Sequence, residues 1–75
     1  MRECFISFAS VEDVHAFVSI TTQQFFSVHV ESGHMQTNGK SILSLCCMGF
    51  NRPLRVLYPA DASNFLQAVE PYLVA

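Results

Sequence analysis

Positive charge is scarce in this 75-residue chain: four Lys and Arg stand against six Asp and Glu, leaving a net charge of −2. That balance offers no basic surface to nucleic acid, whose phosphates are gripped by lysine and arginine. Long apolar runs are also missing. None approaches the ~20 residues that a membrane span requires. No basic-then-apolar signal segment opens the chain, because Glu3 follows Arg2 directly. Cysteine is limited to Cys4, Cys46 and Cys47. An odd count with two neighbours adjacent makes a poor disulfide framework, since adjacent cysteines rarely reach the S–S torsion of a bridge. A reducing cytoplasm is the expected setting. There is no Cys-x-x-Cys pair to hold structural zinc, and no linker, low-complexity run or repeat.

Hydrophobic residues are plentiful, at 51%. That is enough for one compact domain and argues against disorder. A chain this short buries only roughly 60% of the surface it exposes when unfolded, so the core is thin.

Period and punctuation divide the chain. Residues 2–8 alternate, with Cys4, Ile6 and Phe8 on one face, which predicts a strand. Ser10 is placed to cap a helix, with Asp13 in the capping-box position. Val11, Val14, Phe17, Val18 and Thr21 recur at helical spacing over 11–23. Residues 25–31 predict a second strand, with Phe26, Val28 and Val30 inward. Ser32-Gly33 makes a tight turn, and 34–37 return as the antiparallel partner. Residues 52–58 form a strand with Leu54, Val56 and Tyr58 on one face. Asp61 or Ser63 then caps a last helix striped by Phe65, Leu66, Val69, Tyr72 and Leu73, whose regular part Pro71 ends or bends. The order βαββαβα predicts an α+β fold: a four-stranded antiparallel sheet with helices on one face, an open-faced sandwich.

The most distinctive stretch is Lys40-Ser41-Ile42-Leu43-Ser44-Leu45-Cys46-Cys47-Met48-Gly49. Ser41 is placed to cap a short helix over 41–48, and Gly49 to close it. A helix this short needs tertiary anchoring. A hydroxyl at a helix start beside Lys40 also suits a phosphate. Leu45 and Met48 are the candidates for core packing. Ile42, Leu43 and Cys46 are the candidates for an exposed docking patch. The alternative for each is ordinary packing.

This element order, with residues 38–50 (NGKSILSLCCMGF), resembles the histidine-containing phosphocarrier protein (HPr) family of the bacterial sugar phosphotransferase system. The resemblance implies that a histidine opening the first helix accepts phosphate, followed by arginine and proline. Ser10 stands at the histidine position, Glu12 at the arginine and Asp13 at the proline. Carboxylates repel a dianionic phosphate, so phosphotransfer there is expected to be lost. The resemblance also implies that the serine matching Ser41 is a kinase target, and that its phosphorylated form binds a transcriptional regulator. It implies too that the residues matching Ile42, Leu43 and Cys46 form an exposed apolar patch that docks on partner proteins.

His15 lies too far inside the first helix to replace the missing acceptor. Cys46 and Cys47 read as small hydrophobes, with Cys47 buried. His29 and His34 flank a hairpin and have at most Glu31 as a third metal ligand. The expected function is a non-catalytic, HPr-like interaction or regulatory module without cofactor or metal. It would present a rim of Ser10, Ser41, Ile42, Leu43 and Cys46 to a protein partner, a serine kinase or a transcriptional regulator. A genuine phosphocarrier, a small thiol- or metal-binding protein and a homodimeric subunit are the alternatives.

Overall fold

A computed structural model describes residues 1–62 and 64–74. The elements are β1 (Arg2–Ile6), α1 (Val11–Thr21), β2 (His29–Ser32), β3 (Met35–Asn38), α2 (Ile42–Cys47), β4 (Leu54–Tyr58) and α3 (Phe65–Ala68), followed by a 3-10 turn over Glu70–Tyr72. All strand pairs are antiparallel, and the sheet order is β1-β4-β2-β3.

The inward faces are the ones that alternation predicts. Cys4 and Ile6 of β1, Val30 of β2, and Leu54, Val56 and Tyr58 of β4 are buried. They meet Val14, Phe17 and Val18 of α1, Leu45 and Met48 beside α2, and Phe65 and Val69 near the C-terminus. Phe8, just past β1, packs edge-on against Phe17, with ring centroids 5.3 Å apart, and Tyr72 stands edge-on to both. None of the described helices covers the opposite sheet face. There Arg55 of β4 spans Glu3 of β1 at 3.0 Å and Glu31 of β2 at 3.4 Å, an exposed pairing that adds little to stability.

The second strand is shorter than its alternation predicts. Residues 25–28 lie outside the ladder, and β2 begins at His29. Continuing the register backwards would set Ser27 against Pro59 on one side, while on the other side β3 has already turned at Gly39. Strand-like residues without a partner do not make a strand. The hairpin turn falls on Gly33-His34, with Gly33 at φ 59, one residue later than expected. The last helix starts after Asn64, so Asp61 is not its cap, and Ser63 lies outside the described residues. It is also only one turn long. The regular helix ends at Ala68, and Pro71 sits in the 3-10 turn that follows.

The second helix is where it was expected. Its N-cap is Ser41, and Gly49 follows at φ 95, the left-handed conformation that closes a helix. Leu45 and Met48 face the core. Cys47, expected to be buried, is exposed, while Cys46 is half-buried against the core. With Leu45 and Met48 inward, a 100° step per residue puts Cys46 on the flank of Ile42 and Cys47 on the flank of Ser44, over a shallower cleft toward β3.

Candidate functional site

At the opening of α1, Ser10 has the extended backbone of an N-cap residue, but its hydroxyl caps nothing. Asp13 acts instead. Its carboxylate accepts a hydrogen bond from the Ala9 N–H at 2.8 Å, one residue earlier than a capping box would. Glu12 is exposed beside it. The first turn therefore carries two carboxylates at the end of the helix where an incoming anion would have to approach. His15 is exposed further along α1, where the backbone N–H groups are inside the helix.

At the opening of α2, Ser41 accepts from the Ser44 N–H at 3.4 Å and donates to the Ser44 hydroxyl at 3.1 Å, a long and weak cap. The Lys40 ammonium does not turn toward Ser41. It donates to the Gln24 carbonyl at 2.9 Å, just past the C-terminal end of α1, where a cation suits the helix dipole. Ser41→Asp is expected to keep the melting temperature within about 3 °C, since aspartate caps as well as serine. Thermal unfolding followed by circular dichroism checks this. A fall of more than about 8 °C, equal to ~1 kcal/mol or more, would show that the paired serine hydroxyls hold the turn.

These two helix openings lie at opposite ends of α1. Thr21, at the C-terminal end, donates its buried hydroxyl to Gly39 O at 2.8 Å, two residues before Ser41. Ser10 is at the other end, where the Asn51 N–H past α2 donates to Phe8 O at 2.7 Å. Eleven helical residues separate the ends by ~16 Å. The single rim expected from Ser10, Ser41, Ile42, Leu43 and Cys46 is thus two places. The α2 place has Leu43 at its centre, 79% exposed, with Ile42 at 36%. Sequence reading missed that Met35 joins it from β3, 52% exposed, and that Phe25 stands fully in solvent. Met35 was findable from its register in the hairpin. Phe25 was hidden because its strand-like neighbours suggested a ladder position.

His29 and His34 do not gather with other ligands, and no group of His, Cys, Asp or Glu fit for a metal occurs among the described residues. The three cysteines are free and differ in access. Burial pushes the Cys4 thiol up to about 11. The neutral thiol is therefore favoured by folding, and the raised value sets the sign of the pH dependence. The stabilisation is complete below about pH 9, where the unfolded thiol is also neutral, and it is lost as pH rises toward about 11. The loss is expected to be on the order of 2 kcal/mol. Urea midpoints measured across that range should fall more steeply than those of Cys4→Ala. Parallel slopes would show that Cys4 ionises as freely folded as unfolded.

No protein-family model matches the chain, and no curated protein matches it by sequence. Its fold has a solved counterpart. The crystal structure of a phosphocarrier protein HPr from Bacillus anthracis str. Ames superposes with a TM-score of 0.73, covering 97% of this chain and 96% of that one at 16% identity. The chain has the HPr-like fold.

Proposed function

We propose that this chain is a non-catalytic interaction or regulatory module on the HPr-like fold, related to the bacterial sugar phosphotransferase system and no longer a phosphocarrier. The carrying observation is the Asp13 carboxylate on the Ala9 N–H, in an opening turn that also holds Glu12 and has Ser10 where the resemblance implies a histidine. A phosphoryl group at that turn would meet two like charges and no acceptor imidazole. The working surface is then α2, where Ile42, Leu43 and half-buried Cys46 supply apolar contact for a protein partner and Ser41 is the regulatory phosphorylation candidate.

Incubation with the first enzyme of the phosphotransferase system and phosphoenolpyruvate is expected to leave the protein without acid-labile phosphate. Ser10→His should stay unphosphorylated as well, because Glu12 and Asp13 remain. Stoichiometric acid-labile phosphate on the native chain would overturn this reading in favour of a genuine carrier.

A further inference from the structure

The sheet is covered along one edge and open along the other. Beside β1, Leu73 bridges Ile6, the Val74 N–H donates to Phe5 O at 2.9 Å, and the Ser7 N–H donates to Tyr72 O at 2.9 Å. Among the described residues, the outer side of β3 has no such neighbour. The Gly39 N–H bonds Val28 O, so by the antiparallel alternation Val30–Thr37 and Ser32–Met35 are also bonded pairs. Gln36 and Asn38 therefore aim their backbone groups away from β2. The Asn38 carbonyl accepts from the Ser41 N–H at 3.1 Å. Nothing among the described residues bonds the Gln36 N–H, the Gln36 carbonyl or the Asn38 N–H.

Proteins usually blunt such an edge with lysine, proline or an inward charge. The β3 sequence, MQTN, has none of these. On its helix-side flank, β3 and α2 enclose a cleft of about 300 Å³ lined by Met35, Thr37, Leu43 and Cys47.

We propose that the β3 edge is an interface between two copies of this chain, paired antiparallel about Gln36. Each Gln36 N–H donates to the Gln36 carbonyl of the other copy. Met35 then lies opposite Thr37 of that copy, and Leu43 and Cys47 of both α2 helices flank the seam. Charge identifies the occupant. Met35–Asn38 and Ile42–Cys47 contain no Lys, Arg, Asp or Glu. A surface that meets itself sets each charge against its own sign, so a neutral strip suits two-fold pairing. The seam is short, so the dimer is weak and dissociates on dilution. Leu43 belongs both to this seam and to the partner surface proposed above, so a second copy and that partner compete. The pairing itself does not depend on that reading, and its test uses the chain alone.

Sedimentation velocity over an about hundredfold dilution series should show the mass rising toward two copies. The Gln36 and Asn38 amides, followed by hydrogen exchange, should slow in step. Gln36→Pro removes the outward N–H, together with an exposed side-chain bond to Glu31, and is expected to weaken association about tenfold or more. Leu43→Lys, at a site 79% exposed, places like charges across the seam and should do the same without unfolding the monomer. A monomer at every concentration would overturn the proposal. So would a dimer that both variants leave intact, or one in which those two amides exchange as fast as in the monomer.

Discussion

Phe17→Ala is expected to cost about 3–5 kcal/mol, most of what holds a domain of this size together, since total stability is about 4–11 kcal/mol. Phe17 is fully buried and joins three parts of the chain. Its ring meets Phe8 at the end of β1 at 5.3 Å and Tyr72 of the 3-10 turn at 6.4 Å, both edge-on. Truncation leaves a cavity at the point where the two ends of the chain meet α1. It also removes edge-to-face contacts worth about 0.5–1.5 kcal/mol each beyond area burial. Urea unfolding should show a much lower midpoint with an unchanged slope. A loss below about 1 kcal/mol would mean that the surrounding rings collapse into the space.

Gly39→Ala comes next, at about 3 kcal/mol or a fall of about 15 °C in melting temperature. Gly39 is buried, and a Cβ there would lie 2.6 Å from Val28 Cγ1 and 3.0 Å from the Val28 carbonyl oxygen. Val28 is itself fully buried and has nowhere to move. The same shift would pull the Gly39 carbonyl off the Thr21 hydroxyl, leaving a buried polar group short of its partner. Gly33→Ala is the control. It meets nothing within 4 Å, and only its φ of 59 is unfavourable to alanine, so it should cost about 1–2 kcal/mol. Equal melting temperatures for the two variants would show that Val28 yields.

Most of this architecture was legible in the residues, and the failures have physical reasons. Alternation located β1 and β4 because buried and less buried residues alternate from Cys4 to Ile6 and from Leu54 to Tyr58. Spacing placed Leu45 and Met48 in the core and Ser41 at the cap. The strand read over 25–31 was too long because local pattern cannot see that Pro59 and the turn at Gly39 end both potential partners. Ser10 has the position and the extended backbone of a cap but not the bond, and the side-chain bond at this helix start runs from the Ala9 N–H to the Asp13 carboxylate. Cys47 lies outside rather than inside because two adjacent residues of one type give periodicity nothing to separate. The distance between the two helix openings was invisible for a different reason. It depends on Thr21 and Lys40 fastening the start of α2 to the far end of α1.

The strip of chain over 72–74 along β1 has a mechanical consequence. Leu73 pairs with Ile6 and Val74 with Phe5, so the strip runs antiparallel to β1 and its last described residue faces the N-terminal side. A pull applied at Met1 and Val74 therefore loads these bonds singly from one end, like a zip. Once they part, Val69 and Phe65 must leave the core before Arg2 and Tyr58 take the load in the same geometry. Stretched this way, the domain should open at low force.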